Sequence, residues 1–352
     1  MIMVVHSIAI LGLTADSWRF VLPQGVTLFF ILSGFIMVYV YPHLSRADVP
    51  RYWFARFARL WPAHIVVFAF SVFLLVSGVM PVYYPPINGA LALQPFLLQA
   101  WLPTHANMFN LNIPSWTLSV EAFFYLLFPP LLLGLRRFWW LQLALAFLAA
   151  ALIAFAGNDW LVAHLPGTDY GTSIEWPPAR VFEFVLGMCT ALCFAALSQR
   201  TRPGRGWATT IEVAAILLAF AAMAYTHELV QLAASLHPMG KGGELWSRLV
   251  GTVCIPYAIL ILVLALRWGP ITKALSWLPL VVLGESSYSL YLVHFPLIVA
   301  VRAFVTNAKL TGSPLMWSYA VYFPLTIGTA LALWYFVERP CRRLLLRRWT
   351  AV

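Results

Sequence analysis

Charged residues are scarce in this chain. Asp, Glu, Lys and Arg make up only 10% of its 352 residues, against about 25% in an ordinary soluble domain. That deficit excludes a water-soluble globular fold, which could not hide the apolar surface of a chain that is 62% hydrophobic. A bilayer can, because lipid is then the solvent for the outside of the protein. Cysteine is nearly lacking as well. The four cysteines form no C-x-x-C pair and no Cys/His ligand spacing, so neither a disulfide framework nor a metal site is expected, and they read as packing residues. No G-x-x-x-x-G-K-[ST] phosphate loop and no G-x-S-x-G nucleophile elbow occurs. The apolar N-terminus has neither a basic front end nor a small-residue cleavage site, so no cleavable signal peptide is expected. A net charge of +10 could suit nucleic acid, but the basic residues sit in short clusters between apolar runs. They orient helices instead, and no nucleic-acid partner is expected.

What the chain does have is apolar runs. A spanning helix needs about 20 apolar residues at roughly 1.5 Å each. Runs of that kind lie near 24–42, 62–80, 115–135, 138–156, 179–198, 209–226, 248–266, 279–301 and 316–337. A tenth, 1–13, is apolar but short. The fold class expected is all-α: one polytopic membrane bundle over 1–352 with about ten transmembrane helices, the first shortened. Pro62, Pro114 and Pro178 suit the first turns of helices.

Lys and Arg set the orientation. Sixteen of the 22 fall on alternate connections: 43–61, 136–137, 200–205, 267–273 and the tail from Arg339. The connections 81–114 and 157–178 carry none. The reading is a multi-pass protein of the inner cell membrane with both termini cytoplasmic and membrane lipids as its surroundings.

Ionisable side chains within apolar helices are costly and mark functional candidates. His6, Glu121 and His294 fall at a similar depth below the outer interface on three separate segments, either as one site or as satisfied polar core groups. The stretch Asn112-Ile113-Pro114-Ser115-Trp116-Thr117-Leu118-Ser119-Val120-Glu121 places Trp116 and Ser119 on one helix face, with Thr117, Glu121 and Tyr125 on a neighbouring stripe. It implies a water-accessible cavity, or an interfacial belt anchored by Trp116. In Arg51–Pro62, arginines alternate with aromatics, and Arg56 and Arg59 are one turn apart. They could fork two guanidiniums onto phosphate oxygens, or serve topology and head-group contact alone.

These residues carry a resemblance. Gly25–Phe35, the N-x-x-P-x-W-[ST]-L-S-V-E-x-F-F-Y block ending at Tyr125, the Arg56/Arg59 pair, Arg180–Phe184, Ser287–His294 and Glu338-Arg339-Pro340 occur in the order found in the membrane acyltransferase-3 family. The likeness covers essentially the whole chain and is greatest to single-domain members, some of which modify exopolysaccharides. Two departures stand out. Thr27 sits where an Asp is common, and the Arg or Lys usual ten residues before the first-helix His would precede Met1. Together with the shortened first run, the latter implies further N-terminal residues.

The resemblance implies an O-acyltransferase moving an acyl group, most often acetyl, from acyl-CoA to a hydroxyl of an envelope glycan. No permanently bound cofactor is implied; acyl-CoA is a co-substrate. On that basis His6 is the expected general base and Glu121 its orienting partner or a holder of the acceptor. Trp116, Ser119, Tyr291 and His294 are candidates for contacting the acceptor or the developing oxyanion. Arg56 and Arg59 would hold the donor's phosphates on the inner side. The alternatives are a glycan or lipid flippase without covalent chemistry and an inactive assembly partner.

Overall fold

The computed structural model describes residues 1–11, 21–80, 90–236, 240–307 and 313–350. Among these there is no strand, and eight helices or helical stretches are long and apolar enough to cross a membrane. The chain is a multi-pass membrane protein. The helices that matter for the site and its surroundings are α1 (Ile2–Leu11), α2 (Gly25–Val40), α3 (Val49–Val76), α4 (Trp116–Leu152), α5 (Val181–Leu197), α6 (Arg205–Ala224), α7 (Cys254–Leu266), α8 (Ser287–Asn307), α9 (Ser313–Leu333) and α10 (Arg339–Thr350). They fall into two compact units interleaved along the chain. One holds 1–17, 46–119 and 281–352; the other holds 18–45 and 120–280.

The helix α4 accounts for two of the apolar runs. At 37 residues it is far longer than one crossing requires, and Phe138 leaves helical geometry at φ −121°, ψ 23°. The side-chain amide of Gln142 donates to Leu131 O at 2.9 Å. Residues 11 apart on a straight helix would be about 16 Å distant. The chain therefore turns back at Phe138, dividing α4 much as the runs 115–135 and 138–156 divide it.

The first unit is built from α1, α3, α8, α9 and α10 with the segment 90–119. Its core gathers Leu74 from the end of α3, Met80 just beyond it, Leu111, and Phe295 and Val299 of α8, with Ile10 of α1 packed against them. Pro114 stands at the start of the turn that leads into α4, as its ring geometry favours, and Pro177 and Pro178 do the same before α5. Pro62 does not. It lies inside α3, which begins at Val49 rather than near residue 62. Most of the basic stretch 43–61 is thus helix, because its aromatics and arginines are good helix surface and nothing before Pro62 breaks the pattern.

In the second unit, α2 and α5 pack closest. A Cβ added to Gly34 would collide with the backbone of Phe184, and one added to Gly187 with the backbone of Ile31. Each glycine admits the other helix's main chain, the small-residue contact by which membrane helices gain dispersion energy. Cys189 and Cys254 are buried as packing residues, but Cys193 is exposed and Cys341 half-buried. Those two sit on helix faces turned away from the core, which a one-dimensional apolar run does not reveal.

Candidate active site

Two histidines 288 residues apart meet in the first unit. His6 Nδ1 lies 2.9 Å from His294 Nε2. The ring planes differ by 17° with centroids 5.2 Å apart, a separation equal to the hydrogen bond plus a ring radius at each end. The rings are therefore edge to edge, with the N–H and lone pair in the ring plane as a hydrogen bond requires. His294 Nδ1 lies 2.7 Å from Tyr291 O. A carbonyl only accepts, so Nδ1 carries the proton and the Nε2 of a neutral His294 is an acceptor. The proton of the inter-histidine bond then belongs to His6 Nδ1, and His6 Nε2 is left as the basic nitrogen. His294 is buried and His6 half-buried.

The surroundings hold this pair in place. Pro296 within α8 has no N–H to offer the carbonyl of Leu292, one turn before it. The Asn112 side-chain amide supplies that bond at 3.0 Å. Tyr322 OH donates to His294 O at 3.1 Å, and Tyr319 OH to Ser7 O at 3.1 Å, tying α9 to both histidine-bearing helices. Phe295 meets the His6 ring edge-on at 5.5 Å.

The other expected site residues are placed as follows. Tyr291 OH donates to Pro114 O at 3.1 Å and accepts from Thr117 Oγ1 at 3.0 Å. Ser119 Oγ donates to Leu97 O at 2.6 Å and is fully buried. Each hydroxyl has one proton, and in this conformation each proton is directed at a backbone carbonyl. Trp116 is buried in the same segment. Glu121 lies in the second unit, half-buried, accepting from the Tyr125 hydroxyl one turn on. Arg59 is ion-paired with the buried carboxylate of Glu338, and its guanidinium lies 5.4 Å over the Tyr288 ring. Arg56, half-buried, lies 5.9 Å over Tyr52.

Several polar groups organise the units without having been singled out as ionisable candidates. Glu338 also accepts from Ser289 Oγ at 2.8 Å, and Tyr288 OH donates to Leu60 O at 2.7 Å. Together these join α3, α8 and the helical stretch before α10. In the second unit Arg180 pairs with Glu183 at 2.6 Å and donates to Thr27 Oγ1 at 3.0 Å. Thr27 is thus a neutral neighbour to a carboxylate supplied from α5. Glu212 of α6 accepts from the backbone N–H groups of Gly269, Ile271 and Thr272 at 3.1, 2.9 and 3.3 Å. It caps the short helix Pro270–Leu275 from across the unit. The sequence signal available was a carboxylate inside an apolar run for Glu183 and Glu212, and one at the very end of a run for Glu338.

Outside the spans, Asp169 and Thr172 exchange side-chain and backbone bonds at 2.8 and 2.9 Å, a capping box that starts the helix Tyr170–Ile174. Just beyond it, burial pushes the Glu175 carboxyl up to about 8, opposed by Arg180 and reinforced by the like charge of Asp169.

Comparison with known proteins follows the same lines. A family model described as an acyltransferase domain, that of the membrane acyltransferase-3 proteins, matches residues 1–335. The chain is 31% identical to acyltransferase MdmB of Streptomyces mycarofaciens, over 92% of this chain and 82% of that one. It is 25% identical to a putative peptidoglycan O-acetyltransferase, YrhL, of Bacillus subtilis, over 90% of this chain and 50% of that one. With the peptidoglycan O-acetyltransferase OatA of Listeria monocytogenes the identity is 24%, over 91% and 51%. The chain spans about half the length of the last two. No solved structure matches it.

Proposed function

The chain belongs to the membrane acyltransferase-3 family and is an O-acyltransferase, and from that premise we propose that it moves an acetyl group from cytoplasmic acyl-CoA to a hydroxyl of an envelope or exported glycan. The observation that carries this reading is the His6–His294 hydrogen bond, with its implied tautomer. A sugar hydroxyl is a weak nucleophile and must lose its proton as it attacks the thioester carbonyl. His6 Nε2 takes that proton, and the imidazolium is stabilised by His294 through Nδ1. The tetrahedral adduct collapses with cleavage of the carbon–sulfur bond. The proton then passes from His6 to the departing thiolate, leaving an ester and free coenzyme A.

In this scheme Arg56 and Arg59 receive the donor's phosphates on the inner side, with Arg59 aligned by Glu338. Ser119 and Tyr291 could serve the oxyanion only by leaving their carbonyl partners, so the role favoured for them is to fix the segment that frames the site. A glycan acceptor is supported by the names of two relatives.

The test uses the full chain in its host membrane with acetyl-coenzyme A labelled in the acetyl group, followed by mass spectrometry of envelope glycans. Acetylated glycan should accumulate with the wild-type chain and not with His6→Ala at equal abundance. Undiminished acetylation in that variant ends the proposal, and glycan movement without any acylated product would establish a flippase instead.

A further inference from the structure

A cavity of about 740 Å³ opens within the second unit, a size typical of ligand sites. It lies where helices end: α2 stops at Val40, α4 breaks at Phe138 and α5 stops at Leu197. Its lining is divided by polarity. Tyr39, Leu133 and Phe194 form apolar wall, and His43, Arg136 and Arg137 stand at the polar helix ends. No Asp or Glu lines it. Among the described residues, neither arginine has a carboxylate partner, and Arg137 rests 5.2 Å over the Phe138 ring. Leu133 is 71% and Tyr39 60% exposed, apolar surface that acyl chains can cover.

From these observations we infer that the cavity binds an anionic phospholipid, its phosphate on Arg136 and Arg137 and its chains along Leu133 and Phe194. The guanidinium fork suits a phosphate diester, and clustered arginines at a helix end attract the anionic leaflet. The helix C-termini here carry partial negative charge, but each amounts to about half a charge fading within one turn. Two full, unneutralised cations outweigh it. A water-soluble phosphate compound would find no use for the exposed apolar wall, which favours a lipid. The inference is independent of the acyl-transfer reading.

The experiment uses the purified full chain in a neutral detergent, with native mass spectrometry and thermal unfolding in added phosphatidylglycerol or phosphatidylcholine. Selective retention of phosphatidylglycerol, with a raised melting temperature, is expected. Arg136→Gln/Arg137→Gln should weaken that binding about tenfold or more, on the scale of two lost surface contacts. Ala195→Trp, which sets a bulky ring on the cavity wall and leaves both arginines, should do the same and decides the matter if the double variant does not fold. Arg202→Gln/Arg205→Gln, on a neighbouring connection, should not. Equal loss in that control, undisturbed binding in Ala195→Trp, or displacement of the lipid by free coenzyme A would each overturn the assignment.

Discussion

His6 Nδ1 and His294 Nε2, 2.9 Å apart in nearly coplanar rings, form a polarised pair whose direction is set by the Tyr291 carbonyl at the far side of His294. The two residues therefore have unequal roles. His6→Ala should lower turnover by about 10²–10⁴-fold, the usual loss of a general base. His294→Ala removes the group that fixes the tautomer and stabilises the imidazolium but leaves the base itself, and should cost measurably less. Steady-state kinetics of both variants at matched abundance checks the order; a larger loss for His294 would reverse the assignment.

The Arg59–Glu338 pair should show strong coupling. Glu338 is buried while the Arg59 side chain keeps 28% exposure. Breaking either side should cost about 3 kcal/mol, the low end for a buried pair, because water still reaches the arginine. In a double-mutant cycle of Arg59→Met and Glu338→Leu, read by thermal unfolding in detergent, the double variant should be more stable than additivity allows. Additive losses would show that the pair is not an energetic unit.

Close packing of α2 on α5 predicts a steric effect without any polar change. Gly34→Ala and Gly187→Ala each place a methyl against the opposing backbone. Backbone cannot rotate away as a side chain can, so the helices must separate, with a loss of about 1–3 kcal/mol expected for overpacking. Gly328→Ala, inside α9 and meeting nothing, is the matched control. Equal melting temperatures for all three would refute the close approach.

The charge pattern predicts the topology. A single cysteine at Leu102, which is half exposed, should react with an impermeant thiol reagent from outside in an otherwise cysteine-free background. One at Arg202 should react only after the membrane is opened. The opposite pattern would place the donor site on the wrong side.

Glu175 predicts a pH dependence. Its carboxyl titrates near 8 in the folded protein against an ordinary 4.5, so the folded state binds the extra proton between those values. Stability from this group is full below about pH 4.5 and is lost as pH rises through 8. Melting temperature should fall between pH 5 and 8, and Glu175→Gln should flatten that fall. An unchanged slope in the variant would locate the dependence elsewhere.

Composition and run length determined by themselves that this chain is helical and membrane-embedded, because the cost of burying unpaired backbone in lipid leaves few alternatives. The division of α4 was legible as two apolar runs on either side of Arg136 and Arg137, and Pro114 correctly marked a helix start. Pro62 misled, since proline is tolerated within a membrane helix when its neighbours re-satisfy the backbone. His6 and His294 stood out as ionisable groups in apolar surroundings. Their hydrogen bond, and with it the choice of basic nitrogen, depends on how α1 and α8 cross and rotate, which no local pattern encodes. The same holds for Glu338 reaching Arg59, Glu183 supplying a carboxylate beside Thr27, and Asn112 serving the carbonyl released by Pro296. Each partner lies more than 150 residues away in the chain, and only the packed helices bring the atoms within bonding distance.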